Sequence, residues 1–183
     1  MRTIRPTSEV MKSFETSVEN YVAALNTLDM EDLLQKENEE EWSIGQMYMH
    51  LIQSALFMHL RNSEHCLSNN ENTVHADAEK TELGRTLFEA GQFPPIRVKV
   101  PASPQYTPQP PESKQQLVEG LQQVVQQMRR VASVLDEVSV STSRKVSHPR
   151  FGALNAEEWF VLIDMHFKHH FLQLDRLKGN LGN

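Results

Sequence analysis

Four long segments without proline constrain the fold of this chain more strongly than any other feature of its sequence. Each runs for roughly twenty residues, enough for about five turns of α-helix, and carries apolar side chains at the three- and four-residue spacing of one helix face. Such helices become stable by burying their apolar faces against one another, and 183 residues suffice for one core. We therefore predict an all-α four-helix bundle in a single domain, residues 1–183. The predicted helices cover residues 7–28, 43–65, 113–138 and 155–178.

Local signals mark where three of these helices begin. A serine or asparagine is followed three positions later by glutamine or glutamate, which is the spacing of a capping box. In a capping box the two side chains pair with backbone N–H groups that have no partner inside the helix. Gly179 supplies a stop signal after the fourth helix. The three pairs are Ser43 with Gln46, Ser113 with Gln116, and Asn155 with Glu158.

The connection between the second and third helices, residues 66–112, is too long for a simple turn. Its first part predicts a short helix from about Asp77 to Ala90, ended by Gly91. Its second part, residues 93–111, is rich in proline, which fixes the backbone and removes hydrogen-bond donors. We predict a long, extended, proline-rich crossover packed over the bundle; a disordered linker is the alternative. The apolar residues that favour packing are Phe93, Ile96, Val98 and Val100.

The overall charge of the chain argues against binding to nucleic acid. The formal net charge is −6, and the sequence has no basic stripe of the kind that neutralises phosphate. The acidic run from Glu37 to Glu41 is interpreted as a solvated loop or helix end rather than a cation site. We therefore expect no nucleic acid among the partners of this protein.

The expected location is the cytoplasm. Cys66 is the single cysteine, so no disulfide joins two parts of the chain, which fits a reducing compartment. The N-terminal stretch lacks the apolar region of a signal peptide. No apolar run reaches the length of about 18 residues that a membrane span requires, so no contact with a membrane is expected.

Three histidines lie within five residues of the fourth predicted helix: His166, His169 and His170. At about 100° per residue, His166 and His170 share the buried face one turn apart, whereas His169 falls at the edge of that face and is expected to be partly exposed. Buried imidazoles need partners, because an unpaired buried polar group costs about 1–3 kcal/mol. A shared divalent cation would take one nitrogen from each neutral ring.

The second predicted helix offers a third ligand, His50, on a mostly apolar face that should point into the bundle. His59 lies about 180° away on the helical wheel and is expected on the outside. Three imidazoles from two helices leave coordination positions open for water or substrate, as in reactive metal sites. The alternative is three separate core histidines, each bonded to backbone or glutamine. The residues predicted to share the His50 face are Gln46, Met47, Ser54, Phe57 and Arg61.

Two stretches of the sequence resemble the DinB-like superfamily, the DinB/YfiT-like metalloenzymes. They are WSIGQMYMHL in the second helix and HPRFGALNAEEWFVLIDMHFKHHFLQLDRLK at the fourth. The resemblance implies a four-helix bundle of the DinB/YfiT type, often a homodimer. It also implies one divalent metal ion held by three histidines, which correspond to His50, His166 and His170 here. Zinc or nickel is expected first, with iron or manganese also compatible with imidazole ligands.

The resemblance also suggests a chemistry. Characterised relatives include transferases and isomerases that use low-molecular-weight thiols such as bacillithiol or mycothiol. We therefore expect a metal-dependent enzyme, with a small-thiol-dependent S-transferase acting on an electrophilic small molecule as the leading hypothesis. A metal-dependent hydrolase, or a non-catalytic bundle that binds metal or dimerises, is the alternative. Arg61 is a candidate for contact with an anionic group of the ligand, and no catalytic base is assigned.

Overall fold

The computed structural model describes residues 5–68, 73, 77–97, 107–137 and 144–181, and most of them are helical, as the sequence predicts. The second predicted helix consists of an α-helix, Ile44–Ser54, a short π-helix, Ala55–Leu60, and another α-helix, Arg61–Leu67. Residues 44–67 therefore form one continuous helical rod. This rod and the other three long helices lie within two residues of their predicted bounds. In chain order the α-helices are α1 (Thr7–Asn26), α2 (Met30–Leu34), α3 (Ile44–Ser54), α4 (Arg61–Leu67), α5 (Glu82–Ala90), α6 (Lys114–Glu137) and α7 (Ala156–Gly179).

The long helices bury their apolar faces against one another. Both α1 and α3 contact α6 and α7, α6 also contacts α7, and α4 lies along α7. Two buried tyrosines tie three of these elements together, because Tyr21 donates its hydroxyl hydrogen bond to the Phe167 carbonyl at 2.7 Å and Tyr48 donates to the Tyr21 carbonyl at 2.8 Å. The largest fully buried side chains are Trp159, Tyr21, Tyr48, Phe14, Phe160 and Phe167.

The capping residues predicted from the sequence form hydrogen bonds at the start of the helices. Complete capping boxes begin α3, through Ser43 and Gln46, and α7, through Asn155 and Glu158. At α6 the serine accepts a hydrogen bond from the backbone N–H of Gln116, but the glutamine side chain accepts one from the N–H of Glu112 instead of closing the box. The local signals therefore mark where the two helices that carry His50, His166 and His170 begin.

A small antiparallel hairpin precedes α7 and was not predicted. Its strands are β1 (Val146–His148) and β2 (Gly152–Leu154), and Gly152 forms a further bridge with Lys80. Gly152 has a φ of 77°, and a Cβ there would lie 2.6 Å from the Thr81 nitrogen, so this position requires glycine. The short helix of the long connection, α5, ends as predicted before Gly91, which has the left-handed conformation, but it begins at Glu82 rather than near Asp77, with Thr81 as its N-cap.

The proline-rich crossover is described at its two ends. Near its start Phe93 packs against the core, whereas Ile96 is 60% exposed, so the expectation that Ile96 packs inward was wrong. Near its end the Pro108 carbonyl accepts a 2.8 Å hydrogen bond from the Gln46 side chain. The predicted contacts of Val98 and Val100 lie outside the described residues. In the part of the chain that the structure describes, no helix is long and apolar enough to cross a membrane.

Candidate metal centre

The three predicted metal ligands, His50, His166 and His170, lie close together between α3 and α7. Nε2 of His166 lies 3.1 Å from Nε2 of His50 and 3.0 Å from Nε2 of His170. One nitrogen from each ring lies within 4.8 Å of the other two. These are the residues expected to act as ligands, and the fold brings all three together.

Neighbouring side chains orient two of these rings. The Gln173 side-chain oxygen lies 2.7 Å from Nδ1 of His170, so this nitrogen carries the proton and the His170 Nε2 offers a lone pair. Ser54 Oγ lies 3.4 Å from Nδ1 of His50. Gln173 and Ser54 each follow their histidine within one helical turn, which explains why the helix brings each pair together.

The rings are held in the neutral state that metal ligation requires. Burial lowers the pKa of His50 to about 4. Burial and the nearby His50 lower the pKa of His170 to about 3, although its hydrogen bond with Gln173 acts in the opposite direction. Burial, together with the surrounding histidines, holds the pKa of His166 well below its usual range. Neutral, closely spaced imidazole nitrogens directed at one point are a donor set that fits a divalent cation.

His59 lies inside the protein, which corrects the expectation that it is on the outside. It is 4% exposed, and its ring centroid lies 5.3 Å from that of His166 and 6.0 Å from that of Trp159. The cause is the π-helix Ala55–Leu60, whose hydrogen bonds reach one residue further than in an α-helix and therefore change the rotation per residue. A wheel drawn at constant α-helical pitch cannot place a residue beyond such a segment.

The altered rotation along the π-helix also turns two side chains away from the helix face that carries His50. Phe57 is 68% exposed and Arg61 is exposed, although both were predicted to share that face. Gln46 and Met47, which precede the π-helix, are buried as expected, and Ser54 contacts His50. Arg61 therefore loses the placement that made it a candidate for contact with a ligand.

Aromatic side chains lie beside the three histidines. The Trp42 ring is centred 4.9 Å from the His50 ring, and the Phe93 ring lies 6.2 Å from that of His166 and 5.2 Å from that of His169. His169 is half-buried, as predicted for the edge of the helix face. Because Phe93 belongs to the proline-rich crossover, the start of this connection lies next to the histidine cluster.

The acidic run next to Trp42 is only partly solvated. Glu39 and Glu40 are exposed, as expected, but Glu41 is 9% exposed. Arg97 forms an ion pair with Glu41, and Arg176 approaches the same carboxylate at 3.4 Å. These contacts join the crossover and the end of α7 to the loop that leads into α3, so at Glu41 the prediction of a solvated run was wrong.

Comparison with known proteins agrees with this architecture. No individual curated protein matches the chain. The model of one protein family, described as the DinB superfamily, matches residues 13–174, which include all three clustered histidines. This match extends over most of the 183 residues and confirms the resemblance seen in the sequence. The chain belongs to the DinB superfamily.

Proposed function

We propose that this protein is a divalent-metal-dependent enzyme in which His50, His166 and His170 hold the ion. The observation that carries the proposal is the convergence of three Nε2 atoms, with the central one 3.0 and 3.1 Å from its two neighbours. Because Gln173 holds the His170 proton on Nδ1 and each neutral ring has a single proton, the three nitrogens cannot all be satisfied by hydrogen bonds to one another. A cation would give all three lone pairs a partner. The finer fold assignment, a single-domain four-helix bundle of the DinB/YfiT type, is part of the same proposal.

The residues around the triad would prepare it for chemistry. Three histidine ligands leave at least one coordination position for an exogenous group, because zinc-like ions take four or more ligands. A bound divalent cation would supply Lewis acidity and lower the pKa of a thiol or water that coordinates it. Gln173 keeps the proton of His170 on Nδ1, away from the ion. Trp42 and Phe93 would offer apolar surface to a small organic substrate.

The leading reaction is transfer of a small thiol to an electrophilic small molecule. The sulfur would form a bond to an electrophilic carbon, and the thiol proton would leave with the displaced group or protonate the adduct. Family membership supports this hypothesis through the thiol-dependent relatives that the sequence resembles. The enzyme would bind the small-molecule substrate and pair with a second copy of the chain as a homodimer in the cytoplasm. It would bind neither nucleic acid nor a membrane.

Metal analysis of untagged protein tests the proposed ligands. We expect about one ion per chain, with zinc or nickel the leading candidates. The double substitution His166→Ala and His170→Ala should abolish binding, because one imidazole is too few to hold the ion. His65→Ala is the matched control, since His65 lies outside the triad. Metal retained by the double variant would refute the proposed centre.

An activity panel tests the reaction. Metal-loaded protein is incubated with a series of small thiols and a chromogenic electrophile, and formation of the thioether is followed by absorbance and mass spectrometry. We expect turnover with at least one thiol and none with the double histidine variant. Metal binding without thiol transfer, but with ester or amide hydrolysis, would instead identify a hydrolase.

A further inference from the structure

One helical rod places a histidine in the core and a phenylalanine in solvent. His59 is 4% exposed, whereas Phe57, two residues earlier, is 68% exposed. Burying a phenylalanine side chain stabilises a fold through the hydrophobic effect, whereas burying an unpaired imidazole opposes folding. Hydrophobicity alone therefore favours the opposite arrangement.

The π-helix is what produces this arrangement. Segments of this kind are rare and occur frequently at functional sites. Here the π-helix Ala55–Leu60 turns His59 toward α7. Nδ1 of His59 is buried and has no hydrogen-bond partner among the described residues. A buried group without a partner destabilises the fold, so the arrangement opposes stability both through the exposed phenylalanine and through the unpaired nitrogen.

His166, whose ring lies next to that of His59, also has a buried nitrogen without a hydrogen-bond partner among the residues that the structure describes. Nε2 of His166 faces the other two triad histidines, and Nδ1 of His166 is buried without a partner in the described part of the chain. If Nε2 binds a cation, the single proton of the neutral ring must lie on Nδ1. Histidine ligands almost always donate this N–H to an acceptor, which fixes the tautomer and the orientation of the ring. No carboxylate or carbonyl of the described residues accepts it here.

His59 can provide that acceptor. Its ring meets the His166 ring edge-on, at an interplanar angle of 81° and a centroid separation of 5.3 Å. If the His59 proton is on Nε2, its Nδ1 is an acceptor, and the two unpaired nitrogens complement each other. No direct hydrogen bond joins the two nitrogens in the structure, so one bridging water molecule would connect them.

We infer that His59 is a positioning residue of the metal centre, accepting the Nδ1–H of His166 through one water molecule and thereby holding its Nε2 toward the ion. The inference deepens the proposed function and rests on it. It also gives a reason for the π-helix, since a regular α-helix would turn this side chain away from His166.

The test compares two substitutions at one position. His59→Phe keeps the ring shape but removes the acceptor, whereas His59→Gln keeps an acceptor on a flexible side chain. His65→Phe is the matched control, because Nδ1 of His65 is likewise buried and unpaired among the described residues. Zinc affinity is measured by competition with a chromogenic chelator, the absorption bands of the cobalt-loaded protein report ligand geometry, and thermal unfolding is followed in metal-free protein.

The expected result is a separation of affinity from stability. His59→Phe should weaken zinc binding by about 10- to 100-fold and alter the cobalt spectrum, while metal-free protein melts at the wild-type temperature or above. His59→Gln should retain affinity within a few-fold, and His65→Phe should not change it. The inference is overturned if His59→Phe binds zinc like wild type, or if both substitutions at position 59 weaken binding equally. Failure of wild type to bind any metal would instead refute the metal centre itself.

Discussion

At the scale of single residues, the candidate centre depends on which nitrogen of each histidine carries the proton. The hydrogen bond between Gln173 and His170 determines this for one ring, because an amide oxygen accepts only from a protonated Nδ1. It leaves the His170 Nε2 lone pair facing His166. We therefore expect Gln173 to contribute to metal affinity without touching the ion.

Replacing Gln173 by leucine tests this contribution. The substitution removes the acceptor for His170 Nδ1, and we expect metal affinity to fall by about 10- to 100-fold. Gln173→Glu is the matched control, because its carboxylate still accepts the hydrogen bond and should preserve affinity. The measurement is competition with a chelator at neutral pH. Equal affinity of the leucine variant and wild type would show that the hydrogen bond does not orient His170 for binding.

At the scale of elements, the π-helix predicts that Phe57 lies in solvent and contributes little to stability, whereas a regular α-helix would bury this side chain. Phe57→Ala should change the free energy of unfolding by no more than about 0.5 kcal/mol, as for other exposed positions, because Phe57 is 68% exposed. Leu60→Ala, at a position 3% exposed in the same segment, should cost about 2–5 kcal/mol. Urea unfolding of metal-free protein compares the two. A large decrease in the free energy of unfolding for Phe57→Ala would mean that this side chain is buried, and would contradict the rotation that the π-helix gives it.

The hairpin before α7 depends on a glycine at one position. Gly152→Ala should destabilise the protein by more than about 1 kcal/mol, because Gly152 has a φ of 77° and a Cβ would meet the Thr81 backbone. Gly179→Ala is the control, since a Cβ at Gly179 meets nothing within 4 Å, and should be neutral or slightly stabilising. Thermal unfolding measures both. Equal effects would mean that backbone conformation does not restrict position 152.

Sequence patterns predicted the features that local interactions control. The capping residues before α3 and α7 placed the starts of both helices within one residue, and the four-residue spacing of His166 and His170 placed both rings on one face. The failures depend on longer-range packing. No spacing in the sequence announces a π-helix, so His59 was placed on the wrong side. The strands of the hairpin have three residues each, too few to establish an alternating pattern.

At the scale of the whole molecule, buried histidines make stability depend on pH. An unfolded histidine titrates near pH 6.5, whereas in the folded protein burial lowers the pKa of His50 and His148 to about 4 and that of His59 and His170 to about 3. Below pH 6.5 the unfolded chain therefore binds protons that the folded chain does not. Their contribution to stability is fully present above pH 6.5 and is lost progressively as the pH falls through about 4, for His50 and His148, and about 3, for His59 and His170.

Urea unfolding of metal-free protein between pH 7.5 and pH 5 measures this dependence. We expect the free energy of unfolding to change little above about pH 7 and to fall progressively as the pH is lowered below 6.5. His148→Asn should reduce the slope, because asparagine can replace His148 Nδ1 as the acceptor for the backbone N–H groups of Arg150 and Phe151 without titrating. Stability that is constant or rises toward pH 5 would show that the histidines are not held neutral by the fold.

The three clustered rings come from positions far apart along the chain, since 116 residues separate His50 from His166. A ribosome must therefore have translated beyond residue 170 before the complete set of donors exists. Before residue 166 is made, the nascent polypeptide presents only one imidazole of the set, too few to hold an ion. An ion held as proposed can therefore be acquired only after α3 and α7 have docked against each other.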